Sequence, residues 1–137
     1  MIGDRGGIPL ATRLTGANRH DSLVFEELID AVPPIKQPSG QRRKRPAKLH
    51  ADKAYAIPRC RQFLHRRRIG VRIARKGINS SQRLGRHRWG IERTLAWLGR
   101  SRRLTIRDER RVDIHQAFLT LGCALICFNN LPPPEGL

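Results

Sequence analysis

Two acidic residues stand where metal chemistry on a phosphodiester would need them. Asp52 closes the short run KLHAD, which alternates like a β-strand and ends on its acid. Glu92 lies in RHRWGIERTLAWLGRSRRL, a stretch with helical spacing of Leu84, Ile91, Leu95 and Leu98. At 100° per residue Glu92 falls on the edge of that apolar stripe. Arg88, one turn earlier, shares the edge, where it could orient Glu92 or grip a phosphate with both guanidinium nitrogens. Cleavage of a phosphodiester by two Mg²⁺ ions uses carboxylates that converge on the metals. Mg²⁺ keeps several waters, so few protein oxygens suffice. In an α/β sheet such ligands gather at the carboxyl ends of strands, where Asp52 stands. Each residue also has a plain structural role open to it. Asp52 could cap a turn, and Glu92 could pair with Arg88 on a solvated helix.

Other residues could touch a polyanion. Arg42, Arg43, Lys44 and Arg45 form a basic run in a Pro-rich segment, suited either to tracking a DNA backbone or to a solvated loop. Lys53 and Tyr55 follow Asp52 directly; Tyr55 could touch DNA or pack beneath the turn. Trp89 and Trp97 lie off the Leu stripe and are expected to pack on the last helix rather than beside a frayed base. The five histidines lack zinc-like spacing, and no Gly-rich loop fits a nucleotide fingerprint.

The elements that must position these residues alternate. IPLATRLT predicts a strand with Ile8, Leu10, Thr12 and Leu14 on one face, after a tight GDRGG turn. Asp21 is expected to cap a helix over SLVFEELIDAV, which Pro33 and Pro34 stop. Residues 33–46 read as an exposed basic loop. Pro58 opens a second helix running to about Arg68, and IGVRIAR over 69–75 is a strand. A loop over 76–85 leads to a long helix over 86–104. VDIHQAFLTLGCALICFNNL makes a last helix, apolar all round and so expected to be central and buried. This order is α/β. Its longest apolar run, 117–128, is too short for a bilayer, and the N-terminus lacks a signal-peptide pattern, so a cytoplasmic protein is expected.

Charge points to the partner. The 137 residues carry 28 Lys and Arg against 11 Asp and Glu, a net +17 with pI near 11.7. That excess repels itself unless a polyanion relieves it, so nucleic acid is the expected ligand. GC-rich coding also inflates Arg over Lys and accounts for part of it. The 39% hydrophobic content fits a globular chain rather than a disordered one. Three cysteines, Cys60, Cys123 and Cys127, give no paired disulfide framework and read as small apolar residues.

Five segments in order, IPLATRLTGANRHD, LHADKAY, RWGIERTLAWL, RRLTIRDERR and IHQAFLTLGCALICF, resemble bacterial insertion-sequence DDE transposases of the family four/five type. The likeness covers nearly all of 4–131. It implies an incomplete ribonuclease H-like fold: a mixed sheet with flanking helices, a C-terminal helical pair, and an N-terminal strand missing. It implies that Asp52 is the second catalytic acid, Glu92 the third, and Arg88 the arginine four residues before the glutamate. Asp52 and Glu92 would then bind Mg²⁺, with Mn²⁺ as a substitute, and Lys53, Tyr55, Arg88 and Arg93 would contact DNA. Gly85 and Gly99 stand where the fuller pattern has a tyrosine and a lysine; Arg100 or Arg102 could replace the latter contact. Asp4 matches a hairpin-turn position and Asp21 a structural loop acid. The first catalytic aspartate is therefore expected upstream. Residues 1–131 would form a partial catalytic domain and 132–137 a disordered tail. The implied partners are the double-stranded ends of the element, a second copy, or the N-terminal part of the transposase, in the nucleoid and not at a membrane. A chain so truncated or split by a frameshift is expected to show no strand transfer alone. The competing expectations are a non-catalytic basic DNA-binding remnant and a ribosome-associated RNA binder, which explains the charge but not the motifs.

Overall fold

The computed structural model describes residues 1–16, 18–75 and 81–132, without the side chains of 81–88. The described residues form two compact units: Met1–Leu14 with Trp89–Leu137, and Thr15–Arg88.

The first unit is built on a hairpin. β1 (Ile2–Gly3) pairs antiparallel with β2 (Pro9–Ala11). Asp4 ties the turn: its Oδ1 accepts from Ile8 N at 2.8 Å, and its own N donates to Ile8 O at 2.9 Å. This is the structural turn role expected of Asp4. The buried positions are Gly7, Pro9 and Ala11. The expected inward face of Ile8, Leu10, Thr12 and Leu14 is thus one residue out of step. The turn sets the register, and it presses Gly7 rather than Ile8 onto α3 (Ser81–Leu98).

That contact is backbone to backbone. Gly7 has φ +83°, and a Cβ placed there would lie 2.7 Å from Gly90 O. Thr94, fully buried, sets its hydroxyl 2.5 Å from Gly7 O and 2.9 Å from Gly90 O. Among the described side chains the buried line of α3 is therefore Gly90, Thr94 and Leu98; of the expected stripe Leu98 is buried, Ile91 is half-buried, Leu95 is exposed, and Leu84 lies outside the described side chains. The helix also begins earlier and ends sooner than expected, at Leu98 before Gly99, and a separate α4 (Arg102–Thr105) follows.

α5 (Val112–Asn129) closes this unit. Gln116 Oε1 accepts from Leu14 N at 2.9 Å, and Gly122 admits the side chains of Leu98 and Leu104. The expectation of a buried central helix is corrected. Only Gly122 and Ile126 are buried, while Leu121, Leu125 and Phe128 are exposed, because β2, α4 and the end of α3 cover one side. By length and composition alone α5 is apolar enough to cross a membrane. Glu109 is buried beneath Arg103, which donates to its Oε1 at 2.9 Å.

The second unit holds a βαβ crossover. β5 (Lys48–Ala51) and β6 (Gly70–Ile73) run parallel, with Lys48 opposite Gly70 and Ala51 opposite Ile73. α2 (Pro58–Arg66) joins them, opening on Pro58 as its composition predicts. Arg68, at φ 54°, turns the chain back into β6. The core comprises Phe25, Leu28, Ile29 and Val32 from α1 (Phe25–Asp30) and its end, with Cys60, Phe63, Leu64 and Ile73. A 3-10 turn over Asp21–Val24 precedes α1. Its N-cap is His20, whose Nδ1 accepts from Ser22 N at 3.2 Å; Asp21, expected as the cap, lies in the first turn. The expected loop over 33–46 contains a hairpin: β3 (Ile35–Lys36) pairs with β4 (Arg42–Arg43) around Gly40 at φ +82°. The expected loop at 76–80 and the tail at 133–137 lie outside the described residues.

Gly7 and Gly40 differ in one respect that stability can read. Both hold a left-handed backbone, which costs an L-residue about 1–2 kcal/mol. Only Gly7 adds a backbone clash, worth roughly another 1–3 kcal/mol. Gly7→Ala is expected to lower the circular-dichroism unfolding midpoint clearly more than Gly40→Ala; equal effects would remove the Gly7–Gly90 contact from the structure's supports.

Candidate functional site

Asp52 follows the last residue of β5 in extended backbone, φ −76° and ψ −178°. Its Oδ1 accepts from Ala54 N at 2.9 Å and so caps the 3-10 turn Lys53–Tyr55. The residue is exposed. The turn-capping role and the strand-end position thus coexist in one residue.

Tyr55 packs inward, its ring centroid 5.5 Å from that of Phe25. Burial raises its phenol above the ordinary value, and the charges of Asp21, Asp52 and Cys60 push in the same direction. Asp21 also lines a shallow open depression with Asn18, Arg19, His20 and Ala54. The Asp52 turn and the Asp21 loop therefore neighbour each other within one unit. The sequence alone gave no sign of this, since the loop and the turn lie far apart along the chain.

Glu92 sits on α3 in the other unit and is exposed. At 100° per residue it lies nearly opposite the line of Gly90, Thr94 and Leu98, not on the edge of the buried face. The side chain of Arg88, and with it the expected Arg88–Glu92 pairing, lies outside the described residues. Arg93 is placed differently from a simple solvated base. Its guanidinium lies 4.3 Å from the Trp97 ring centroid and 5.5 Å from that of Trp89. Trp89 remains 45% exposed rather than packed away.

Arg42 and Arg43 lie exposed on β4, Lys44 and Arg45 follow them, and Lys53 is exposed in the same unit. Thr15–Arg88 holds 19 of the 28 Lys and Arg but 5 of the 11 acids, so it carries +14 of the net +17. Part of this excess is structural. Arg59 donates to Ser22 O at 2.5 Å, Arg61 donates to Ile73 O at 3.0 Å, and Arg67 pairs with Asp30. Among the described residues no three His, Cys, Asp or Glu side chains gather as a metal cluster.

Similarity to known proteins settles the family. The family model described as the transposase DDE domain matches residues 1–127. The chain belongs to the transposase DDE domain family. A protein of Burkholderia cepacia named "Putative transposase for insertion sequence element IS402" is 48% identical over 131 residues, covering 96% of this chain and 62% of that protein. The chain thus spans about six-tenths of the length of the curated relative it matches. No solved structure matches it. Asp52 and Glu92 both fall within the span that matches the transposase DDE domain.

Tyr55 is the one tyrosine, so its titration reads this turn alone. Its raised value makes the neutral phenol the form the fold favours. The matching stability is present below the ordinary value of 10.0 and is lost as pH rises through the folded value. Phenolate absorbance should show Tyr55 ionising above 10.0, and Asp52→Asn should lower that value without bringing it fully back. An unchanged midpoint in the variant would separate Asp52 from the tyrosine. Asp52→Ala, but not Asp52→Asn, should also cost about 0.5–2 kcal/mol through loss of the cap.

Proposed function

We propose that this chain acts in DNA transposition, binding insertion-sequence ends and contributing two acids to their metal-dependent cleavage and strand transfer. The observation that carries the reading is Asp52: an exposed carboxylate at the end of a parallel strand, inside a span matching the transposase DDE domain. In this reading Asp52 is the second catalytic acid and Glu92 the third, within a ribonuclease H-like domain over residues 1–131.

The donor chemistry fits a divalent cation. Both acids offer hard carboxylate oxygens at the surface, and Mg²⁺ or Mn²⁺ accepts such ligands with water filling the rest of its shell. When bound, the metal would supply an activated oxygen nucleophile and charge neutralisation at the phosphate. The cap from Ala54 N fixes one oxygen of Asp52 and so limits the rotation of its carboxylate. Lys53, Arg42, Arg43, Lys44 and Arg45 would hold the DNA backbone, with Arg88 and Arg93 nearer Glu92. Tyr55 is placed beneath the turn as packing. The remaining oxygen ligands would come from outside these two acids, from a further segment of the transposase or a second copy. The site of action would be the cytoplasm, at the nucleoid.

Mg²⁺ titration followed by calorimetry should show Asp52→Asn and Glu92→Gln each weakening affinity about tenfold or more, with circular dichroism unchanged. Unaltered affinity in both variants would remove these acids from the metal site. Strand transfer by the chain alone, abolished by Asp52→Asn, would show that its own residues complete the acid set. Duplex affinity should fall about a thousandfold between 50 and 200 mM salt, as about six or more phosphate contacts require; a flat dependence would exclude a phosphate-led interface.

A further inference from the structure

We infer that the β3–β4 hairpin is a reading arm for duplex DNA, its neutral tip meeting base edges in the major groove while Lys36 and Arg42 hold the flanking phosphates. The inference rests on the proposed DNA-acting reading and adds a sequence-discriminating element to it.

The charge of the segment comes first. Residues 31–51 contain Lys36, Arg42, Arg43, Lys44, Arg45 and Lys48 and no Asp or Glu. The flanking acid Asp30 is taken up by Arg67, and Asp52 caps its own turn. Strand pairing then sets Lys36 directly opposite Arg42. Like charges facing each other across a ribbon work against the pairing that holds it. An anion lying along the ribbon removes that penalty, and a nucleic-acid backbone is an anion of the right length.

Shape comes second. Gln37 N donates to Gln41 O at 2.8 Å, and Gly40 N donates to Gln37 O at 2.8 Å, so the tip is closed by its own backbone. Gly40 stands clear: a Cβ added there meets nothing within 4 Å. Ser39 and Gln41 are exposed on either side of it. Arg43 is turned back instead, its Nε donating to Arg45 O at 2.7 Å at the root of the arm. The arm thus carries cations on its flanks and hydrogen-bonding amide and hydroxyl groups at its end. That is the division of labour of a sequence reader, in which phosphate contacts position and base-edge contacts discriminate. A two-stranded ribbon fits the B-form major groove, about 12 Å wide, where a glutamine amide matches the N6 and N7 edge of adenine. The deep, narrow major groove of an RNA duplex refuses it.

Placement ties the arm to the acid. Nine residues separate Arg43 from Asp52, a span of at most about 32 Å fully extended. One turn of duplex is about 34 Å. The arm is therefore rooted within one turn of the carboxylate that closes β5, so the bases it reads fix which phosphate comes to Asp52.

The test begins with the unaltered chain and a pool of random-sequence DNA duplexes, from which bound molecules are recovered and sequenced. The pool should yield a preferred short sequence. Replacing its purines by 7-deazapurines, which removes the N7 acceptor and leaves base pairing and the minor groove intact, should weaken anisotropy-measured affinity about fivefold or more, the range of one lost base contact. The same sequence as an RNA duplex should bind more weakly still. Gln41→Ala and Ser39→Ala should flatten the preference without changing the salt dependence. Arg42→Ala should weaken all sequences alike and lower the slope of log affinity against log salt by about one. No preferred sequence, a preference that both tip variants leave intact, or one indifferent to 7-deazapurines overturns the arm while leaving DNA binding in place. Equal affinity for the RNA duplex overturns the major-groove assignment. An unchanged salt slope in Arg42→Ala overturns the phosphate clamp. Absence of salt-sensitive binding to any duplex overturns the DNA-acting reading and the arm together. Should the variants fail to fold, the 7-deazapurine and RNA comparisons on the unaltered chain decide.

Discussion

The approach of Gly7 to Gly90 is the constraint on which the first unit depends. It joins residues far apart in sequence by backbone contact, with no side chain between them. The Thr94 hydroxyl, lying between Gly7 O and Gly90 O, supplies the polar link that a buried carbonyl pair needs. This contact decides which line of α3 is inward. Once Gly90, Thr94 and Leu98 are buried, helical geometry leaves Glu92 on the open side and the ridge of Trp89, Arg93 and Trp97 between them. The chemistry-bearing residues of α3 are exposed because small residues elsewhere on it are not.

The second unit places its acid by a different device. β5 and β6 are parallel, so α2 must return the chain, and Asp52 occupies the turn between strand and crossover. A carboxylate there has two oxygens and, on the proposed reading, two uses. One satisfies the backbone of the following turn, and the other faces outward. The overlap explains why the site and the fold cannot be told apart at this position by residue type alone.

Much of the architecture was legible in the sequence. The α/β order, Pro58 at a helix start and the alternation of Val71, Arg72 and Ile73 all appear where their spacing put them, and the strand expected over 48–52 is present, ending one residue earlier. The misses share one cause. The hairpin face, the buried line of α3 and the exposure of α5 depend on which neighbour covers which side, and apolar periodicity does not contain that information. Ile8 lost to Gly7 because a turn glycine could approach a helix more closely. Leu95 lost to Thr94 because a hydroxyl was needed between two carbonyls. Asp21 was readable as a loop acid, but its field at Tyr55 is a product of tertiary packing. That Asp52 stands at a strand's end and Glu92 on a helix was readable, whereas the stacking of Arg93 on two indoles required the helix phase.

Charge is distributed in a way that bears on the proposed metal chemistry. The unit that contains Asp52 carries +14. A divalent cation approaching this surface alone meets net repulsion that its few acids offset only in part. A bound polyanion reverses that field. On the proposed reading, metal and DNA therefore assist each other: phosphate lowers the electrostatic cost of the cation, and the cation offsets charge that the phosphate brings. By linkage the two effects are equal in size. On that reading the basic surface around Asp52 acts as a safeguard, keeping metal binding weak until nucleic acid is present.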